Sequence, residues 1–134
     1  MNDSFYTYYV ELIAVLIAWM EGYFRPDPTI PNTHNNPGDL RKWKDYPVYD
    51  GYVWFPTPQE GWNALFRQIE LNIGRNLTLT EFFQGKEGVY AGYDKTNPDY
   101  AEFVAKYSGI PLRGMTIAEF IKWVEDNYNN LQKG

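Results

Sequence analysis

Nine consecutive apolar residues at positions 12–20, Leu-Ile-Ala-Val-Leu-Ile-Ala-Trp-Met, run without a break into Glu21-Gly22. Tyr9, Leu12, Ile13, Leu16, Ile17 and Met20 recur at helical spacing, so the run is predicted to be a helix rather than a strand. Asn2, Asp3 or Ser4 can cap its start, and Gly22 can supply the left-handed residue that ends it. Ala14, Val15, Ala18 and Trp19 fill the remaining faces. A helix apolar nearly all round is expected to be enclosed by the rest of the fold. The run is too short for a membrane span, which needs about 20 apolar residues. It is also no secretory leader: no Lys or Arg precedes Arg25, acidic Asp3 and Glu11 stand where a leader is basic, and no small-residue cleavage site follows. The expectation is a buried central helix without stable membrane insertion.

A length of 134 residues suits one core, so a single domain over residues 1–134 is expected. Between positions 25 and 58 prolines are frequent and helical periodicity is weak, which predicts a loop with short strands. Within it, Asp50-Gly51 separates Tyr-Pro-Val-Tyr at 46–49 from Tyr-Val-Trp-Phe at 52–55, the turn dipeptide of a two-residue hairpin. Three helix starts carry a Thr followed three residues on by Glu: Thr57 with Glu60, Thr78 with Glu81, and Thr116 with Glu119. In such a box the hydroxyl takes a backbone N–H and the carboxylate returns to the cap, and Pro58 sits at a tolerated first position. A further helix begins at Asn97-Pro98 and stops at Ser108-Gly109. Predicted core stripes are Trp62, Leu65, Phe66 and Ile69; Phe103, Val104 and Tyr107; and Ile117, Phe120, Ile121, Val124 and Tyr128. The fold class expected is mainly α, an α+β arrangement of about five helices with one small β-hairpin.

A net charge of −5 argues against nucleic acid as partner, because neutralising phosphates takes clustered Lys and Arg. With no cysteine there is neither a disulfide nor a thiolate metal site. His34, the sole histidine, lacks companions at ligand spacing and lacks a Ser or Cys to activate, so no metal and no cofactor is expected.

Glu21 is the candidate for chemistry. A general acid must keep its proton near the working pH, whereas a water-exposed Glu titrates near 4.3. Burial among Trp19, Met20, Tyr23 and Phe24 and the negative end of a helix dipole would both favour the protonated form. The competing reading is an ion pair with Arg25 or Arg41. The segment Thr33-His34-Asn35-Asn36-Pro37-Gly38-Asp39 offers amide donors and acceptors on a stiffened backbone, suited either to the acetamido and hydroxyl groups of an amino sugar or to an Asx turn that bonds only itself.

These residues carry a resemblance. Ala18-Trp19-Met20-Glu21-Gly22-Tyr23-Phe24, then Asn35-Asn36-Pro37-Gly38-Asp39-Leu40-Arg41, Gly51-Tyr52-Val53-Trp54-Phe55 and Glu60-Gly61-Trp62-Asn63-Ala64-Leu65, resemble phage and prophage peptidoglycan-cleaving proteins of the lysozyme-like superfamily. In architecture these are akin to goose-type lysozymes and soluble lytic transglycosylases. The likeness extends weakly through Tyr93-Asp94 and Asn97-Pro98-Asp99-Tyr100 to Val104 and Gly109.

The resemblance implies a lysozyme-like fold and cleavage of the β-1,4 bond between N-acetylmuramic acid and N-acetylglucosamine, with Glu21 as the acid. His34, Asn35 and Asn36 would line the glycan cleft, and Tyr52, Trp54 and Tyr93 could stack on sugar faces or serve the core. The chain departs from the pattern at Asp39, where Asn is expected. A cleft-facing Asp39 would orient water and make a hydrolase. Facing away, it would leave a lone Glu and a lytic transglycosylase, in which the sugar's 6-hydroxyl attacks; Asp27 and Asp50 are weaker candidates for the second role. The partner implied is peptidoglycan, reached from the bacterial cytoplasm by way of a virion or another delivery factor. The alternative is a non-catalytic virion structural or glycan-binding module retaining the fold, since fold alone does not fix function.

Overall fold

The computed structural model describes residues 3–133, so the cap proposed at Asn2 lies outside the described residues. The chain is mainly helical with one two-stranded antiparallel hairpin, as the sequence predicts. In order come α1 (Asp3–Glu21), α2 (Ile30–Thr33), β1 (Val48–Tyr49), β2 (Tyr52–Val53), α3 (Pro58–Ile73), α4 (Leu79–Gln84), α5 (Tyr100–Ser108) and α6 (Ile117–Lys133). Among the described residues no helix is long and apolar enough to cross a membrane. The chain divides into two compact units, one made of the segment up to Leu12 with the segment from Glu70 onward, the other Ile13–Ile69.

In the Ile13–Ile69 unit, α1 ends as its sequence requires. Gly22 takes φ 87°, its N–H donates to Trp19 O (3.2 Å), and the Tyr23 N–H reaches back to Ala18 O (3.0 Å). This pair of bonds satisfies carbonyls that the last turn would otherwise leave open. Ile13, Ala14, Ile17 and Ala18 are buried, but Val15 and Trp19 are not: Trp19 is 64% exposed. The expectation of a helix enclosed on all sides is therefore corrected. Positions 15 and 19 share one face, four residues apart, and that face looks outward although its residues are apolar.

The hairpin forms at the predicted turn. Asp50 and Gly51 hold φ 53° and 82°, the left-handed pair of a type I′ turn, and Val48 pairs with Val53 and Tyr49 with Tyr52. Val53, Phe55 and Ala64 form a buried cluster, against which Leu40, Trp43 and Tyr46 pack. The single turn of α2 was not foreseen in a segment read as loop. Thr29 caps it by accepting from Asn32 N–H (3.2 Å), while Asn32 Oδ1 accepts from Thr29 N–H (2.9 Å). An Asn at the third position thus replaces the Glu sought in the sequence.

In the other unit, α4 and α6 start at the predicted boxes, Thr78 with Glu81 and Thr116 with Glu119, each bonded in both directions. The α5 helix starts later than Asn97-Pro98, at Tyr100, and stops at Gly109 with φ 78°. Its buried stripe is Tyr100, Ala101 and Val104. Tyr107, predicted to be core, is exposed and packs with its ring tilted against Phe103 at 4.9 Å. Tyr128 is likewise half outside, touching Phe5 at 5.1 Å.

Candidate active site

Glu21 is the last residue of α1 and is half-buried. The helix has no basic residue in its last turn, and the carbonyl ends of its dipole disfavour a charged carboxyl at that end by about 0.3–1 kcal/mol. Just beyond, Tyr23 and Phe24 pack against Trp62 of α3 at 5.3 and 6.1 Å, and Trp62 packs against Phe66 at 5.9 Å. Arg25 forks onto Asp27 (3.2 and 3.0 Å), which occupies one of the weaker candidates for a second acid. The Thr29 hydroxyl donates to Gly22 O (3.0 Å), so the cap of α2 is bonded to the end of α1.

The polar loop that follows is braced from inside. Asn36 is 0% exposed. Its Nδ2 donates to Leu40 O (2.9 Å) and Val53 O (3.0 Å), and its Oδ1 accepts from Leu40 N–H (2.9 Å). His34 is buried too, with Nε2 donating to Tyr49 O (3.1 Å) and Nδ1 beside the Thr33 hydroxyl (3.2 Å). Asn35 sits in the left-handed region at φ 52° and donates from Nδ2 to Phe55 O (3.0 Å). The Phe55 N–H donates to His34 O (2.9 Å) and the Val53 N–H to Leu40 O (2.9 Å). For Asn36 and His34, expected to line a glycan cleft, this is a correction. Their polar atoms are spent fastening the loop to the hairpin, Asn36 to the Val53 carbonyl of β2 and His34 to the Tyr49 carbonyl of β1.

Asp39 also holds a left-handed φ of 54°, with its N–H donating to Asn36 O (3.0 Å); it is half-buried and its Oδ1 is shielded from solvent. Asp50 is exposed in the hairpin turn, its carboxylate 4.0 Å from His34 Nε2. Gly61 shows why α3 carries a glycine inside its first turns. A Cβ there would stand 1.7 Å from Asn35 O and 3.1 Å from Pro37 Cδ, so only glycine lets the loop lie on the helix.

Aromatic side chains cover the hairpin's outer surface. Tyr49 is 57% and Trp54 37% exposed, meeting edge-on at 6.4 Å. Arg41 lies over the Tyr52 ring at 4.9 Å and donates to its hydroxyl (3.1 Å). Tyr49 and Arg41 were missed by sequence reasoning; alternation across the hairpin puts Tyr49 on a definite face, but nothing local marks that face as outward. Tyr93 belongs to the other unit, where it stacks on Phe82 at 5.8 Å and borders Phe83 and Tyr100 at 6.0 and 6.3 Å. The structure therefore gathers Glu21, Asp39, the braced loop and the hairpin in one unit and assigns Tyr93 to an aromatic cluster in the second. Among the described residues no group of three or more His, Asp or Glu could hold a metal ion.

Glu60 opens α3 differently from its predicted box. Its N–H donates to Thr57 Oγ1 (3.2 Å), but its carboxylate takes two hydroxyls, Thr57 on Oε2 (2.9 Å) and Tyr46 on Oε1 (3.1 Å). That hydrogen bond to Glu60 holds the Tyr46 proton and raises its pKa above the ordinary 10.0, with desolvation and the charge of Glu60 pushing the same way.

No family model, curated protein or solved structure matches this chain.

Proposed function

We propose that this protein cleaves peptidoglycan glycan strands at the bond between N-acetylmuramic acid and N-acetylglucosamine, with Glu21 as general acid and then, as carboxylate, as base. One observation carries the reading: Glu21 is half-buried at the C-terminal end of α1, beside a capped turn that leads into a loop fastened by Asn36 and His34. Partial burial and the helix end both disfavour a charged carboxyl, the condition an acid needs to hold its proton. Sugar contacts fall to the exposed Tyr49 and Trp54 by stacking and to the exposed Arg41 beside the half-buried Tyr52 by hydrogen bonding, while the buried amides keep the loop rigid. Asp39 is the candidate to orient water. Hydrolysis with its help and attack by the sugar's own 6-hydroxyl are separated by mass spectrometry of digested walls, because an anhydro end lacks one water.

The deciding experiment compares wild type and Glu21→Gln on purified cell walls. Loss of a general acid should slow clearing by about 10²–10⁴-fold with far-UV CD unchanged. Equal rates would rule the assignment out. A second reading, a non-catalytic glycan-binding module of a virion, is favoured by the exposed Tyr49–Trp54 pair, which can hold a sugar face without any acid. Sedimentation with walls but no release of soluble fragments by the wild type would decide for it.

A further inference from the structure

A cleft of about 230 Å³ lies between the segment at 43–46 and α3, lined by Trp43, Lys44, Tyr46, Glu60, Asn63 and Arg67 and not by Glu21 or Asp39. Its apolar side is well supported, because Trp43 and Tyr46 pack on the buried cluster of Val53, Phe55 and Ala64, with the Tyr46 ring 4.8 Å from Phe55. Its one acid is already engaged: both oxygens of Glu60 accept hydroxyl protons, from Tyr46 and Thr57. Asn63 Oδ1 accepts from Gln59 Nε2 (2.8 Å), which leaves the Asn63 amide hydrogens as donors. Lys44 and Arg67 are exposed, and among the described residues neither enters an ion pair. Lys44 also holds φ 46°, a conformation that side chains other than Gly, Asn and Asp seldom adopt.

The inventory is therefore two uncommitted cations and a neutral donor, an occupied acid, and an indole. It is a local reversal in a chain of net charge −5. A cationic ligand would meet two like charges there. An oxyanion meets two cations and a neutral donor against one carboxylate, Glu60, whose oxygens are turned to the Tyr46 and Thr57 hydroxyls, and a guanidinium fork matches a carboxylate or phosphoryl edge in two parallel bonds.

We propose that this cleft binds a small organic oxyanion, with Arg67 and Lys44 as its charged ligands, Asn63 as neutral donor and the Trp43 indole against its carbon portion. The site is separate from Glu21 and does not rest on wall cleavage. Two sources share the chemistry, a carboxylate and a phosphoryl group, and two probes tell them apart. Acetate and inorganic phosphate are titrated separately into the isotope-labelled full chain at ionic strength fixed with chloride, and the Trp43 indole N–H and Arg67 side-chain N–H are followed by NMR. Saturable shifts confined to the cleft are expected, with affinity weakened by at least about five-fold in Lys44→Gln/Arg67→Gln. A response to phosphate alone assigns a phosphoryl ligand, to acetate alone a carboxylate, and to both the shared oxyanion chemistry. No saturable shift with either probe, or shifts that persist in the double variant, would overturn the proposal. Both substitutions are at exposed positions, and an unchanged spectrum away from the cleft checks that the variant is folded. The titration is repeated in Glu21→Gln, where the same binding is expected whether or not walls are cut.

Discussion

Asn36→Ala removes the brace of the polar loop at its centre. Leu40 N–H and Val53 C=O lose their side-chain partner, while Leu40 C=O keeps the Val53 N–H at 2.9 Å. Each buried polar group left without a partner costs about 1–3 kcal/mol, and water entering the space relieves part of it, so a loss of about 2–4 kcal/mol is expected. With a urea dependence of about 2 kcal/mol per molar, the unfolding midpoint should fall by about 1–2 M, read by far-UV CD. Asn36→Asp is the sharper variant. It keeps an acceptor for Leu40 N–H but, when ionised, turns a second oxygen toward two carbonyls in a site with no exposure. Burial and those acceptors favour the protonated acid, so its folded pKa lies above the unfolded value near 3.9. A raised folded pKa gives stability that is present at low pH and lost as pH climbs through it. Asn36→Asp should therefore regain stability relative to wild type between pH 7 and pH 4, and Asn36→Ala should not. An Ala variant within about 0.5 kcal/mol of wild type would refute the reasoning and return Asn36 to the surface as a ligand-facing amide.

Gly61→Ala should be among the most damaging small substitutions, costing about 3 kcal/mol or more, because its methyl would meet the Asn35 carbonyl at 1.7 Å; a thermal midpoint unchanged from wild type would show that the loop does not lie on α3. Tyr46 shifts stability at the alkaline end. Its folded pKa is raised above 10.0 chiefly by the hydrogen bond to Glu60, so its contribution is complete below about pH 10 and is lost as pH rises through the folded value. Tyr46→Phe should flatten that alkaline loss in urea titrations run across the window, and a variant as sensitive as wild type would exclude the pairing.

What was legible in the sequence is what a few adjacent residues decide among themselves. Asp50-Gly51 dictated the hairpin because both positions need positive φ, and Gly22 and Gly109 ended helices for the same reason. The boxes at Thr78 and Thr116 were readable because cap and carboxylate are three residues apart. The α2 turn escaped because Asn32 does the work of the expected Glu. The roles of His34 and Asn36 were not readable, since their partners, the carbonyls of Tyr49 and Val53, lie 15 and 17 residues away. A polar side chain turns inward when a distant backbone group needs it, and that demand arises only once the hairpin exists. Val15 and Trp19 misled for a related reason: composition made every face of α1 look buriable, and only the assembled packing selects the face that is left outside. Glu21 stands where the sequence placed it, at the end of α1.

Release of soluble fragments from purified cell walls by wild type and by folded Glu21→Gln, followed over the same hours, tests the account at its centre. It predicts glycan fragments from the wild type and a loss of about a hundredfold or more in the variant. Fragments appearing at the same rate from both proteins would contradict it.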